Sequence, residues 1–284
     1  MKEGRPSETA QRVAIERAAH QLMDKPKVFD DPLALRIIGQ ECALALQTDP
    51  DQFEATRLSP YLRSFMAARS RYAEDELALA VGRGVRQYVI LGAGLDTFAY
   101  RNPYPELALR VFEVDHPATQ AWKRARLEEV GVPLPVDLRF APVDFEGQTL
   151  ADGLRGAGYD PNLSAFFSWL GVTPYLTIEG MMTTLRFIAS APIGSGVVFD
   201  YAISPSLLDP AQRLVFDALA NRVASAGEPW RTFFDSAELM KDLRAMGFGH
   251  AEDIGPVEIN AKYFKDRTDG LRVGSLAHMM NARV

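Results

Sequence analysis

The chain has 284 residues, of which 47% are apolar and 24% charged, proportions typical of globular proteins and not of disordered ones. Acidic residues (37) outnumber Lys and Arg (31), and the net charge of −6 argues against nucleic acid as a partner, since nucleic-acid binders usually carry a basic excess. No apolar run reaches the roughly 18 residues of a membrane span, and the charged N-terminus is unlike a secretion signal. We therefore expect a cytoplasmic protein with neither a nucleic-acid nor a membrane partner.

Cysteine and histidine usage predicts no internal disulfide and no metal site. Cys42 is the only cysteine, and its helical surroundings are typical of a small apolar filler. The four histidines lie far apart and lack the spacing of metal ligands. They are His20, His116, His250 and His278.

The first 83 residues are predicted to form a helical cap. Small and apolar residues recur at helical spacing, and two Asp-Pro or Ser-Pro pairs place a proline in a first helical turn. No flexible linker follows, so these helices are expected to pack on the rest of the chain. The predicted helices are Thr9–Met23, Leu33–Leu46 and Tyr61–Gly82.

From Gly84 the pattern alternates between short apolar runs and helical segments. Such strands, apolar on both faces, indicate a parallel sheet covered by helices on each side. The fold class is therefore α/β, a doubly wound, mostly parallel, Rossmann-like sheet, with residues 84–201 as its core. The strands are predicted at 88–91, 109–115, 138–144, 163–169 and 196–201, with helices at 119–130, 150–157 and 177–190.

Residues 202–284 are predicted to add a helical insertion and two final strands to the same single domain, 1–284. The helices are Asp209–Ala226 and Ser236–Met246, and the edge strands are His250–Ile254 and Ser275–Met280.

A glycine turn follows the first strand. Gly92 and Gly94 would let the backbone turn tightly and approach a ligand, although a Gly-x-Gly alone also fits a plain strand-to-helix turn. The next strand ends in Glu113-Val114-Asp115, where an acid can accept both ribose hydroxyls. The third ends in Asp144-Phe145, which suits an adenine. All three lie at the carboxyl edge of the sheet, so we predict a nucleoside site there.

Two cofactors fit such a site. A nicotinamide dinucleotide enzyme uses a third glycine at the position of Thr97, which lets the helix pack near the pyrophosphate. S-adenosylmethionine has no pyrophosphate, so Thr97 favours the methyl donor. A nicotinamide-dependent oxidoreductase is the alternative. Asp96 and Thr97 can also simply cap the following turn.

The joint pattern of motifs resembles the leucine carboxyl methyltransferase family, in particular its bacterial branch of class I S-adenosylmethionine-dependent O-methyltransferases. The resemblance covers residues 10 to 200. Its motifs are 29–34 (FDDPLA), 69–72 (RSRY), 84–87 (GVRQ), 91–97 (LGAGLDT), 100–101 (YR), 112–117 (FEVDHP) with Lys123, and 169–176 (WLGVTPYL).

The resemblance implies a cofactor site residue by residue. Arg69, or Arg71 two positions on, is similar to the arginine that clamps the methionine carboxylate, although both also fit an exposed helix face paired with Glu74 and Asp75. The remaining implied cofactor contacts are Gly92, Ala93, Gly94, Glu113, Asp115, His116, Asp144, Phe145 and Gly171.

The chain departs from the family pattern at two positions. Phe98 stands where many bacterial members have Arg, and Gly171 stands where many have an acid near the cofactor's amino group. The second departure puts a protein-leucine substrate in doubt more than it does the cofactor.

The predicted reaction is in-line methyl transfer to a small-molecule or carboxylate acceptor. A carboxylate acceptor is already ionised and needs no base, whereas a hydroxyl benefits from one. The candidate catalytic residues are His116, Tyr175 and Tyr201; the first also fits a turn-shaping role, and the two tyrosines also fit core packing. A third hypothesis is a relative that binds the cofactor without transferring its methyl group.

Overall fold

A seven-stranded sheet organises the molecule, seen in a computed structural model that describes residues 8–50, 59–143, 148–225 and 227–284. The strand order is β3-β2-β1-β4-β5-β7-β6, and all neighbours are parallel except β7, which runs antiparallel to β5 and β6. This confirms the doubly wound, mostly parallel α/β sheet. The strands are β1 (Gln87–Leu91), β2 (Arg110–Asp115), β3 (Leu138–Pro142), β4 (Phe166–Trp169), β5 (Gly196–Ala202), β6 (His250–Ile254) and β7 (Ala277–Arg283).

The helices cover both faces of this sheet. They are α1 (Glu8–Met23), α2 (Ala34–Ile37), α3 (Gln40–Thr48), α4 (Ser59–Gly82), α5 (Pro117–Glu129), α6 (Leu150–Gly156), α7 (Ile178–Ala189), α8 (Pro210–Ser225), α9 (Ser236–Met246) and α10 (Pro256–Tyr263). Among the described residues, none of these helices has both the length and the apolar character that a membrane crossing requires.

The core has two layers because both faces of the central strands are apolar. Every residue of β1 and β5 is buried. Leu77 of α4 and Ile90 of β1 belong to one layer, and Leu185 of α7 and Leu243 of α9 to the other. A third, smaller cluster joins the first three helices to α5. The cap is thereby packed on the sheet.

Local chemistry sets the ends of several helices. The Thr177 hydroxyl accepts a hydrogen bond from the Gly180 amide at the start of α7, and Asp235 accepts two amide hydrogen bonds at the start of α9. Gly247, with a φ of 108°, ends α9 in the left-handed conformation that glycine adopts without strain.

Several elements of the structure differ from the prediction. The single helix expected over Leu33–Leu46 is two, because Gly39 adopts a φ of 89° and the Arg126 guanidinium lies where its Cβ would be. The fourth strand is shorter than residues 163–169. Helix α10 was not predicted, and the last strand runs three residues beyond Met280. The division into residues 1–83, 84–201 and 202–284 stays a prediction.

Candidate cofactor site at the carboxyl edge of the sheet

The turn after β1 depends on two glycines, because neither position has room for a side chain. Gly92 and Gly94 have φ values of 67° and 44°. A Cβ added to Gly92 would lie 2.3 Å from Val172 Cγ2, and one added to Gly94 would lie 3.2 Å from Ala10 Cβ in α1. The turn is therefore enclosed by the segment after β4 on one side and by the first turn of α1 on the other.

Asp115 closes the turn from the end of β2. Its carboxylate accepts hydrogen bonds from the Gly94 amide at 2.6 Å and from the His116 amide at 2.7 Å. The Gly92 and Ala93 amides donate to the Val114 carbonyl, so the turn folds back across the strand end. Burial raises the pKa of Asp115, and the two amide hydrogen bonds oppose that rise. A carboxylate has about four acceptor positions, so, as far as the described residues show, two stay available to a ligand.

Thr97 occupies the third position of the glycine motif for a structural reason. Its buried hydroxyl donates to Asp31 at 2.8 Å and accepts from Arg101 Nε at 3.1 Å. Arg17 of α1 donates to the Leu95 carbonyl at 2.7 Å. The cap and the glycine turn are thus tied together by the hydrogen bonds to Asp31 and from Arg17, both of which involve a charged side chain.

Arg69 and Asp200 form a buried ion pair beside this turn. Arg69 projects from α4, and its Nη1 lies 2.7 Å from Asp200 Oδ2 in β5, with each side chain 6% exposed. The other oxygen of Asp200 accepts from the Gly171 amide at 2.5 Å. Gly171 has a φ of 74°, and its missing Cβ leaves the space that the guanidinium fills.

Arg71 does not join this group. Its side chain is 49% exposed, and its Nε lies 2.7 Å from Asp75 Oδ1. Residues two apart on a helix point about 200° apart, so Arg69 and Arg71 cannot both face the site. The pairing with Asp75 is the exposed-face arrangement that the sequence also allowed.

Glu113 lies in β2, two residues before Asp115, and belongs to a buried polar cluster. Its side chain is fully buried, with Lys123 Nζ 2.7 Å from its Oε2 and the Tyr100 hydroxyl 3.4 Å away. Burial raises its pKa to about 7, although Lys123 opposes the shift. This buried pairing with Lys123 favours Asp115 over Glu113 as the ribose-binding acid, and the implied contact by Glu113 stays a prediction.

The three candidate catalytic side chains lie in different surroundings. His116 caps α5, with its Nδ1 accepting from the Ala118 amide at 3.2 Å. Tyr175 contacts Thr9 and Trp230, and burial raises its pKa.

Tyr201 lies away from the glycine turn. Its hydroxyl donates towards Asp253 at 2.6 Å and lies 2.9 Å from Ser236, in the layer that packs against α9. Asp144 and Phe145 lie outside the described residues.

Asp200 and Asp31 are the polar residues that sequence reasoning missed. Asp200 is an acid in the middle of an otherwise apolar strand, and Asp31 lies in the FDDPLA motif at residues 29–34, for which the sequence suggested no role. A buried acid needs a partner, and that requirement was the available clue to both.

Comparisons with known proteins identify the family of this chain. The family model of leucine carboxyl methyltransferase matches residues 10–189. A Bacillus subtilis protein, YktD, whose name places it with the S-adenosyl-L-methionine-dependent methyltransferases, is 33% identical over 99% of both chains. A Mycolicibacterium smegmatis protein similarly named is 37% identical over 68% of this chain and 65% of its own.

Solved structures show the same fold. A Thermobifida fusca protein, named as a methyltransferase, matches with a TM-score of 0.55 at 18% identity, covering 99% of this chain and 96% of its own. A duf574 family protein from Streptomyces avermitilis matches with a TM-score of 0.54 at 16% identity, over 94% and 96%. The chain therefore belongs to the leucine carboxyl methyltransferase family and is an S-adenosylmethionine-dependent methyltransferase.

Proposed function

We propose that this enzyme is an O-methyltransferase that acts on a small acceptor, and that the acceptor is a carboxylate. Bound S-adenosylmethionine supplies a methyl group on a sulfonium. The protein's task is to hold an acceptor oxygen in line with that methyl group and to exclude water. We also propose that residues 1–284 act as one domain; the cytoplasmic location and the absence of nucleic-acid and membrane partners stay predictions.

The described residues fit the cofactor. The buried guanidinium of Arg69 donates to Asp200 alone among described residues, so further N–H groups are available to a carboxylate. Asp115 keeps acceptor positions for the ribose hydroxyls, and the glycine turn brings backbone within reach of a nucleoside. Asp144 and Phe145 remain the proposed adenine contacts.

The environment of the three catalytic candidates supports a carboxylate acceptor. His116 Nδ1 accepts a hydrogen bond from the Ala118 amide, so the proton of the neutral imidazole lies on Nε2, which then has no lone pair to act as a general base. Burial raises the pKa of Tyr175, and Tyr201 is bonded to Asp253 and Ser236. An acceptor that is already an anion at neutral pH makes no demand on these groups. This observation carries the proposal.

Transfer of a labelled methyl group tests the acceptor class. We expect label from S-adenosylmethionine to pass to members of a carboxylic-acid panel and to be released as methanol by alkali, as an ester requires. Matched phenols and alcohols should receive none. Label found only on phenols or alcohols, at a rate that rises with pH, would overturn the carboxylate proposal.

A substitution at His116 separates a capping role from a catalytic one. His116→Asn keeps a side chain that caps helices well and removes the imidazole. We expect kcat to stay within about threefold, because loss of a general base costs about 10²- to 10⁴-fold. A hundredfold fall in kcat with unchanged thermal stability would show that His116 is a base.

Binding of S-adenosylhomocysteine tests the cofactor site. We expect Arg69→Met and Asp115→Asn each to weaken binding by roughly tenfold or more, the loss of about one charged hydrogen bond. Arg71→Met is the matched control on the same helix and should bind as the wild type does. If calorimetry shows that Arg71→Met loses affinity for S-adenosylhomocysteine while Arg69→Met keeps it, the assignment is reversed.

A further inference from the structure

The ion pair of Arg69 and Asp200 has unused hydrogen-bonding capacity on both of its members. A guanidinium has five N–H donors, and among the described residues only Asp200 accepts from Arg69. The Asp200 carboxylate accepts from Arg69 and the Gly171 amide, which leaves about two of its four acceptor positions. Each side chain is 94% buried, so only a small part of the pair is open to solvent.

The protein backbone is shaped to place these two charges together. A Cβ on Gly171 would lie 2.7 Å from Arg69 Nη2 and 3.0 Å from Nη1. The guanidinium therefore occupies the space into which a side chain at position 171 would project. The carboxylate that pairs with the guanidinium comes from Asp200 in β5, the strand next to β4 in the sheet.

A buried pair of opposite charges, each with unused hydrogen-bonding positions, is complementary to a ligand that carries both charges close together. The pair and an amino-acid zwitterion are each neutral overall. Their union pairs every charge and leaves no net charge in the protein interior, where an unpaired ion is costly. The methionine end of S-adenosylmethionine has this form, with an α-carboxylate and an α-ammonium group on one carbon.

We propose that Asp200 binds the α-ammonium group of the cofactor while Arg69 binds its α-carboxylate. This inference rests on the proposed cofactor site at the glycine turn and adds a residue to it. Asp200 thereby makes the enzyme selective for nucleosides that carry an intact amino acid. Its role differs from that of a residue that only orients Arg69, because it depends on the amino group of the ligand.

Four nucleosides distinguish these roles by calorimetry with the wild-type protein. They are S-adenosylhomocysteine, the same compound without its amino group, the same compound without its carboxylate, and methylthioadenosine, which lacks the amino acid. We expect removal of the amino group to weaken binding at least about tenfold, as the loss of a charged hydrogen bond does. Equal affinity for S-adenosylhomocysteine and its deaminated analogue would overturn the proposal.

Asp200→Asn tests the residue itself. We expect S-adenosylhomocysteine to bind roughly tenfold more weakly, while deaminated S-adenosylhomocysteine and methylthioadenosine change by less than about twofold. Asp253→Asn is the matched control, because Asp253 is a carboxylate on β6 that bonds Tyr201 and His278. It should bind all four nucleosides as the wild type does.

Each other outcome has a defined meaning. If Asp200→Asn weakens the deaminated analogue as much as S-adenosylhomocysteine, Asp200 acts only through Arg69 and the proposal is wrong. If it weakens methylthioadenosine equally, the effect is structural and the proposal is again wrong. If the variant does not fold, the wild-type series decides. Failure of the wild type to bind any nucleoside, methylthioadenosine included, would instead refute the proposed cofactor site.

Discussion

Gly171→Ala provides a sharp test of the site because it adds one carbon beside the Arg69 guanidinium. The new Cβ would lie 2.7 Å from Nη2, closer than real Cβ contacts allow, so the guanidinium must move away. Its hydrogen bond to Asp200 is 2.7 Å long, and a shift of several tenths of an ångström disrupts that geometry. A displaced guanidinium also no longer donates to the cofactor carboxylate as proposed, and loss of that charged hydrogen bond corresponds to about 1.5–3 kcal/mol, or roughly 10- to 150-fold in affinity.

The substitution also strains the backbone, and that effect needs its own control. Gly171 has a φ of 74°, a conformation that costs an L-residue about 1–2 kcal/mol. Gly270 has the same φ of 74°, and nothing lies within 4 Å of the position of its Cβ. Gly270→Ala therefore reproduces the backbone strain without the close approach to a charged side chain.

Two measurements separate the effects. Urea unfolding should show a loss of about 1–2 kcal/mol for Gly270→Ala, from the left-handed conformation alone, and a larger loss for Gly171→Ala, which also disturbs the buried pair of Arg69 and Asp200. Calorimetry with S-adenosylhomocysteine should show a tenfold or greater loss for Gly171→Ala and none for Gly270→Ala. Equal affinities in the two variants would refute the reasoning that position 171 controls the guanidinium.

Two further predictions concern the polar groups beneath the site. Thr97→Val should lower the free energy of unfolding by about 1.5–3 kcal/mol, because Asp31 loses a donor. Thr184→Val is the control, since among the described residues its hydroxyl donates to the Gly180 carbonyl of its own helix, and it should cost less than about 1.5 kcal/mol. Equal losses for the two variants in urea unfolding would contradict this. The raised pKa of Glu113, about 7 against 4.5, means that its contribution to stability is complete below pH 4.5 and is lost as the pH rises through 7. A Glu113→Gln/Lys123→Met double variant should lack this decline. If its free energy of unfolding changes with pH in parallel with that of the wild type, the prediction is refuted.

The sequence predicted the cofactor-binding half of the fold because its signals are local. Alternating apolar strands and helices identified the sheet, and the carboxyl ends of β1 and β2 are enough to bring Gly94 and Asp115 together, as their hydrogen bond confirms. The choice between Arg69 and Arg71 could not be made in this way. It depends on which face of α4 packs against β5, and that contact joins residues 131 positions apart.

Long-range partners explain the remaining differences. Tyr201 lies near the end of β5, which leads to the site edge, but its hydroxyl bonds Ser236 and Asp253, which come from α9 and the edge strand β6. Asp200 resembles one more residue of an apolar strand, and only the fold brings Arg69 and the Gly171 amide beside it. Gly39 was missed for a local reason. One glycine within a helical pattern is often tolerated, but here it separates two helices.

The hydrogen bonds from the N-terminal helices to the glycine turn make the cap a part of the binding apparatus. Without Arg17 and Asp31, the Leu95 carbonyl and the Thr97 hydroxyl would lose their buried partners, so residues 84–201 transplanted alone would not keep the turn in shape. The coupling also runs in the other direction. A nucleoside that steadies the turn should slow amide exchange in α1, some 80 residues earlier in the chain, which would make the first helix a reporter of cofactor occupancy.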